Sequence, residues 1–305
     1  MDTTKLATAT TILAEVALAL HPILIKQVGV GLPTQLLARL GTYTVLGSTL
    51  SSTSDKKLAW GDWSTASKSI GYGLMNLIHI GSSYLSYQHL PAGSALALFY
   101  TFPFFNILAG VFFLGDSFKP IMLPLLLMAF LGVLLISRYT KEGFSDTEGP
   151  ETQQTQPTQQ TQSTKKNIPL GIFAALLSAI TETLIFLLAK SDSESSPYLT
   201  ILKLYPAALV GLLGYVGFTG TSVQTSLKNW IPLILFNIFI GFLGYSLRFW
   251  SIPRLPTDVF SILTFIGVAA GYMWGLLYSK EIPTMGALGG AALITGSLGV
   301  LRSYT

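Results

Sequence analysis

The sequence predicts an all-α integral membrane protein, with ten transmembrane helices arranged as two inverted five-helix repeats. Three observations predict it. Half of the 305 residues are hydrophobic and only 10% are charged, against about 25% charged in a soluble domain. So few charges cannot clothe a water-facing surface on a chain of this length. Apolar stretches of about 20 residues, the length that crosses a hydrocarbon core, recur along the chain. Marker residues also repeat at a nearly constant interval of 164 or 165 positions.

The ten stretches run over 6–26, 33–53, 67–88, 91–114, 119–138, 168–189, 198–218, 229–251, 256–279 and 283–303. Most begin at a turn or start signal: Gly31-Leu32-Pro33, Leu90-Pro91, Ile168-Pro169, Pro197, Leu255-Pro256 and Ile282-Pro283. A proline in the first helical turn gives up no bond that the helix would otherwise make. Short loops make successive helices antiparallel neighbours. The first stretch carries Glu15 and His21 and no cleavage site follows it, so it reads as a spanning helix rather than a signal peptide.

One segment breaks the pattern. Residues 141–167 contain TQQTQPTQQTQSTKK, a polar tract that buries no apolar area and is expected to be disordered. It separates a first five-helix unit, 1–140, from a second, 168–305.

The two units share landmarks. Lys26 and Lys190 end the first and sixth stretches, 164 residues apart, and Arg39 and Lys203 lie in the second and seventh at the same interval. Leu90-Pro91 and Leu255-Pro256 open the fourth and ninth stretches, and Asp116 and Glu281 follow them, each pair 165 apart. Asn76 pairs with Asn237 if the eighth stretch carries extra residues. Five is an odd number, so the second unit enters the membrane from the opposite side, as in the inverted repeats of secondary transporters. The corner acids Asp116 and Glu281 read as interfacial caps of the helices that follow them.

The composition excludes other classes. The net charge of +4 is spread along the chain, so no clustered basic face marks a nucleic-acid partner. There is no cysteine, which removes disulfides and thiol chemistry. No spacing suggests a catalytic set, a metal site or a cofactor. The expected partners are a small-molecule substrate and the bilayer. Gly286, Gly289, Gly290, Gly296 and Gly299 stud the last helix and suit either packing within the monomer or a homodimer face.

Charge near the bilayer centre is costly and marks a cavity or a partner. Glu15 and Glu182 lie mid-span in the first and sixth stretches and can either exchange a proton during transport or pair with Arg39, Lys203 or His21. Arg39 and Lys203 sit about six residues into their helices, about 9 Å along the axis, and suit either snorkelling or substrate binding. Arg248, close to the end of the eighth stretch, has the same two readings. His21-Pro22 and Pro103 should bend their helices. Asn76 and His79 share a face one turn apart. Tyr100, Tyr245, Tyr272 and Trp274 offer polar tips to a cavity, or sit in an aromatic girdle.

The stretches YLSYQHLPAGSALALFYTFPFF, FFLGDSF and FLGVLLIS in the first unit resemble the drug/metabolite transporter superfamily in its ten-helix EamA-type form. So do GYSLRFWSIPRLPTDVFSILTFIGVAAG and KEIPTMGALGGAALITGSLGVL in the second. Arg39 looks like an arginine common in that family's second helix. The resemblance covers the chain outside the Gln/Thr tract. It departs where the ninth helix has Val268 rather than the usual proline, and where the first corner acid is Asp116 rather than glutamate.

The resemblance implies a carrier for a small polar metabolite, anionic or zwitterionic, such as an amino acid, nucleotide sugar or sugar phosphate. It implies alternating access, with proton coupling or exchange, and both termini in the cytosol. The lysine and arginine balance across the membrane, eight against seven, does not orient the chain. The rival reading is a transport-dead membrane receptor or regulatory scaffold.

Overall fold

The computed structural model describes residues 2–20, 30–52, 63–90, 92–117, 119–139, 167–192, 196–224, 226–278 and 284–301. His21, Lys26, Glu281 and the Gln/Thr tract up to Lys166 lie outside the described residues. The described residues form helices and no strands. Six helical runs among them are long and apolar enough to cross a membrane: Ala97–Leu114, Met122–Tyr139, Ile168–Ser191, Pro197–Thr219, Leu227–Arg254 and Thr257–Tyr278. The remaining predicted stretches also carry helices: α1 (Thr3–Leu18), α2 (Leu32–Ser51), α3 (Trp63–His89) and, last in the chain, Met285–Leu301. The first three mix threonine, serine and charge among their apolar residues. Apolar side chains face outward, with Phe218 95% exposed, as suits a lipid-facing surface. The protein is a membrane-embedded, multi-pass helical protein.

Local chemistry sets the helix ends. Asp2 caps α1 by accepting from the Thr4 amide, and Gly31 with Pro33 opens α2. Asn167, assigned above to the linker, caps α7 (Ile168–Ser191) by accepting from the Leu170 amide. Ser196 does the same for α8 (Pro197–Leu204), and α9 (Pro206–Thr219) starts at a second proline. These caps satisfy amides that a helix start leaves open.

Several runs are interrupted. α4 (Ala92–Phe99) and α5 (Phe102–Ala109) are separated at Tyr100 and Thr101, just before Pro103. α5 continues through a π-helical turn, Gly110–Leu114, that ends on Gly115 in the left-handed conformation, φ 69°. After α6 (Met122–Tyr139) and α7–α9, α10 (Leu227–Phe236) holds Pro232 and passes through the π-helical turn Asn237–Phe242 into α11 (Leu243–Ser251). A 3₁₀ turn, Ile252–Arg254, follows. α12 (Thr257–Thr264) and α13 (Ile266–Tyr278) are separated at Phe265, although Val268 stands where a proline was anticipated.

The α4–α5 and α12–α13 breaks share a bonding pattern. Thr101 N donates to Leu98 O at 3.2 Å and Phe104 N to Thr101 O at 3.0 Å; Phe265 N donates to Ile262 O at 3.2 Å and Val268 N to Phe265 O at 3.0 Å. Both breaks therefore tighten to three-residue bonds, and the second does so without a proline.

Helices from the two ends of the sequence pack on each other: α1 on α11, α2 on α8 and α9, α3 on α7, α5 on α12, and α6 on α14 (Met285–Leu301). The α6–α14 contact is backbone-close. A Cβ placed on Gly132 would lie 2.5 Å from the Gly290 carbonyl, and one on Gly290 would lie 2.6 Å from the Gly132 carbonyl. Gly286 lies against the Tyr139 ring, whereas Gly289 and Gly299 meet open space. The last helix thus spends two of its glycines on packing inside the monomer.

The corner after α5 departs from its anticipated role. Asp116 does not cap α6; it accepts a hydrogen bond from Thr257 Oγ1 at the start of α12. Six residues separate Asp116 from Met122, too many for a cap. Lys190, at the end of α7, donates to the Leu255 carbonyl and to the Ile252 carbonyl, the latter at 3.4 Å.

Overpacking a closed contact costs about 1–3 kcal/mol, whereas alanine in place of an unhindered helical glycine gains up to about 1 kcal/mol. Gly290→Ala and Gly132→Ala should therefore lower the melting temperature in detergent, and Gly289→Ala should hold or raise it. Thermal unfolding followed by tryptophan fluorescence compares the three directly.

Candidate functional site

The buried centre is built from four helices. Glu15 comes from α1, His79 from α3, Glu182 from α7 and Arg248 from α11, all nearly excluded from solvent. Arg248 Nη2 donates to Glu182 Oε1 at 2.6 Å. Its Nε lies 3.2 Å from Glu15 Oε1, an ionic contact without hydrogen-bond alignment. The guanidinium also lies over the Phe102 and Phe260 rings, 5.7 and 5.8 Å from their centroids. One cation thus answers two carboxylates and two aromatic faces.

His79 supplies a different chemistry. Its Nδ1 is 3.1 Å from the Ser178 carbonyl and 3.3 Å from Thr181 Oγ1. A carbonyl only accepts, so Nδ1 carries a hydrogen. The other nitrogen, Nε2, lies 3.4 Å from Glu182 Oε2. In a neutral ring Nε2 then has no hydrogen, and two acceptors face each other. The contact is favourable when one proton resides between them, on the imidazole or on the carboxyl group. Counted formally with both carboxylates ionised, the cluster carries minus one if His79 is neutral and zero if the extra proton is present.

Tyr100 borders this centre. A Cβ on Gly267 would lie 2.8 Å from the Tyr100 hydroxyl and 3.1 Å from Glu15 Oε2. Glycine here lets both groups reach the backbone just after the α12–α13 break.

A second polar group adjoins the first through α11, where Tyr245 lies one turn before Arg248. The Arg39 guanidinium is 5.1 Å from the Tyr245 ring centroid and 5.6 Å from that of Tyr43. Tyr43 packs on Tyr205 at 4.7 Å and on Tyr245 at 6.0 Å, with its hydroxyl seated against Gly241. Arg39 Nε has no hydrogen-bond acceptor, and the Tyr43 hydroxyl has no bonded partner.

The other anticipated residues take separate places. Lys203 pairs with Asp192 across the α7–α8 corner. Asn76 donates to the Leu204 carbonyl at 3.2 Å, beside the break before Pro206. Asn237 Nδ2 bonds its own helix at Leu233 O, 2.8 Å away, and its Oδ1 is buried without a partner. The Tyr272 hydroxyl is likewise buried and unbonded. Trp274 donates to the Val16 carbonyl at 2.9 Å. His21 lies outside the described residues.

The structure corrects the ion pairs anticipated for the acids. Glu15 and Glu182 pair with Arg248, not with Arg39 or Lys203. Arg248 is not a snorkelling residue, because the helical run continues to Arg254 and carries it inward. Sequence reasoning also missed Tyr43, Tyr205 and Thr181. Tyr43 follows Arg39 by four residues and shares its helix face, a signal that was available. Tyr205 carried none. Among the described residues no three His, Asp or Glu side chains gather as metal ligands.

No family model matches the chain, and no curated protein matches it. The chain is similar to a solved crystal structure of a protein over 98% of its own length and 99% of the other's, with a TM-score of 0.74 at 16% identity. That likeness carries the fold alone.

Removing one member of a buried ionic set is more damaging than removing the set, because it leaves charge without a partner, at about 3–5 kcal/mol. Arg248→Met should therefore unfold at a clearly lower temperature in detergent. Adding Glu15→Gln and Glu182→Gln to it should recover most of the loss. Thermal unfolding of the single and triple variants gives the comparison.

Proposed function

We propose that the chain is a secondary transporter of the drug/metabolite transporter type. In this reading it is built from ten spanning helices in two inverted five-helix repeats, with both termini in the cytosol. It moves a small polar metabolite, anionic or zwitterionic, by alternating access. The observation that carries the reading is the buried cluster of Glu15, His79, Glu182 and Arg248, two residues from each half of the chain, inside a membrane-embedded bundle. Ionisable groups in a membrane interior are costly and stand where a substrate or proton path needs them. Transporters of this plan bind at the junction of their repeats.

The matched breaks of α4–α5 and α12–α13 support a duplication, since their bonds recur 164 residues apart. So do the landmarks Lys190, Leu255 and Asp116. Each has a counterpart elsewhere in the sequence, and all three meet at the start of α12. There they tie the corner of the first half to the second. Opening that end requires Asp116 to leave Thr257.

The chemistry of the centre fits proton exchange. The His79–Glu182 contact holds a proton in one state and repels in the other. Losing that proton makes the pair one charge more negative and draws Arg248 toward Glu182 from Glu15. Arg248 thereby couples protonation on α7 to the packing of α1 against α11. A substrate group that enters the cluster competes for the same partners.

Protein in liposomes, challenged with labelled amino acids, nucleotide sugars and sugar phosphates under an imposed pH gradient, tests the reading. One chemical class should accumulate when the gradient is present. Glu182→Gln should keep exchange of that substrate while losing its response to the gradient. Absence of flux for all classes, in protein that is folded and oriented, overturns the reading.

The corner contact gives a second test, made clean by the absence of native cysteine. In Asp116→Cys with Thr257→Cys, oxidation should halt flux and reduction should restore it. Full flux in the cross-linked protein would remove this contact from the transport cycle.

A further inference from the structure

Among the described residues, every buried or half-buried cation near the centre has its charge answered except one. Arg248 has two carboxylates. Lys203 has Asp192. Lys190 has two carbonyls. Arg39 has no carboxylate partner among the described residues; it has aromatic faces instead. An unpaired guanidinium in this setting is costly, and cation–π contact returns only part of that cost.

The surroundings are arranged for an acceptor. Arg39 Nε is buried with no acceptor. The Tyr43 hydroxyl is buried beside Arg39, a group that can only donate to it, so the hydroxyl hydrogen has no acceptor. Tyr84, Tyr205 and Tyr245 lie within electrostatic reach of the same guanidinium. Arg39 and Tyr245 are only half-buried, so the group is reachable. The tyrosines supply hydroxyl donors and ring faces on several sides, and Arg39 supplies the planar fork that matches a carboxylate.

The charge count selects among anions. A phosphate monoester carries close to two negative charges and asks for a second cation. Arg248 is already held by Glu15 and Glu182, and Lys203 by Asp192. One free positive charge matches one negative charge.

We propose that Arg39, with Tyr43, Tyr205 and Tyr245, is the recognition site for a single carboxylate of the transported molecule. The proposal rests on the carrier reading for its role but not for the binding itself. Tyr245 lies one turn from Arg248, so a carboxylate held at Arg39 places the rest of the ligand beside the Glu182–His79 pair. The net negative side of the centre then faces the ligand's other end, where a hydrogen-bond donor or an ammonium group fits and a second carboxylate does not. Arg39 is therefore a specificity residue that selects monocarboxylates over dicarboxylates and phosphate esters.

Binding is read from thermal unfolding of the full chain in detergent, since a ligand that binds only the folded state raises the midpoint. The probes are lactate with lactamide, leucine with leucinamide, benzoate with benzamide, then succinate and glycerol 3-phosphate. At least one monocarboxylate should raise the midpoint in a concentration-dependent way while its amide does not. Arg39→Gln should abolish that shift, Arg39→Lys should retain part of it, and Tyr43→Phe should weaken it without removing it. Because a structural role for Arg39 would lower the midpoint of the unliganded variant, each shift is taken against that variant's own baseline. The proposal falls if glycerol 3-phosphate shifts the midpoint and no monocarboxylate does. It falls if the shift persists in Arg39→Gln, or if no carboxylate binds. Binding that depends on Arg39, in protein that carries no flux in liposomes, upholds the site and removes the carrier.

Discussion

A guanidinium in the interior of a membrane protein must be answered on all sides, and Arg248 is answered by four helices. Glu182 on α7 takes the short hydrogen bond and Glu15 on α1 the looser ionic contact. Phe102 at the head of α5 and Phe260 on α12 lie beneath the rest of the cation. None of these helices can shift without changing the electrostatic balance of one residue on α11. The cluster helps to specify the relative placement of helices that apolar packing alone would leave free to slide. Apolar surfaces attract each other weakly in lipid, which is as apolar as leucine, so close packing and polar pairing must set register. Here the glycine contact between α6 and α14 and the Arg248 cluster share that task at different places.

The two ionic contacts of Arg248 are unequal, and the inequality has mechanical content. A charge pair that is close but misaligned, as Nε is with Glu15, is weaker than the bidentate or well-directed pairs that lock a fold. Glu182 also faces His79, so the stronger contact belongs to the acid that has a second ionisable neighbour. Stability alone does not require this set, since an apolar set of similar volume would hold the helices as well.

Much of the helical layout was legible in the sequence, because a bilayer imposes length and apolarity on each crossing and the prolines mark the starts. Pro33, Pro169 and Pro197 all lie in first turns, as read. The break at Phe265 was not legible, because the signal sought was a proline. What accompanies it is the approach of the Tyr100 hydroxyl and Glu15 to Gly267, a tertiary fact. The identity of the costly residues was legible as well: Glu15, Glu182 and Arg248 all proved buried. Their pairing was not. Partner choice depends on which helix faces stand opposite, and α1 faces α11 rather than its sequence neighbour α2. Asp116 was misread for the same reason, since its partner Thr257 lies 141 residues away.

Arg39 and Lys203 differ in their surroundings in a way that bears on the site proposed above. In the proposed repeat they are counterparts at the same interval, on α2 and α8, and each had two readings, snorkelling or substrate binding. Their fates differ because their neighbours differ. Lys203 stands near a corner whose Asp192 neutralises it, so it contributes to the joint between α7 and α8. Arg39 stands among Tyr43, Tyr205 and Tyr245, none of which carries compensating charge. Two of those three tyrosines come from the second half, from beside Lys203 and from the helix of Arg248. The free cation is thus created by residues of both halves acting on one copy of a repeated position. A symmetric pair of paired cations would bind nothing, and a symmetric pair of free ones would repel each other and demand a doubly charged ligand. Breaking the equivalence at one position leaves a single free charge beside the protonatable pair, which is the least arrangement that can tell one end of a small molecule from the other.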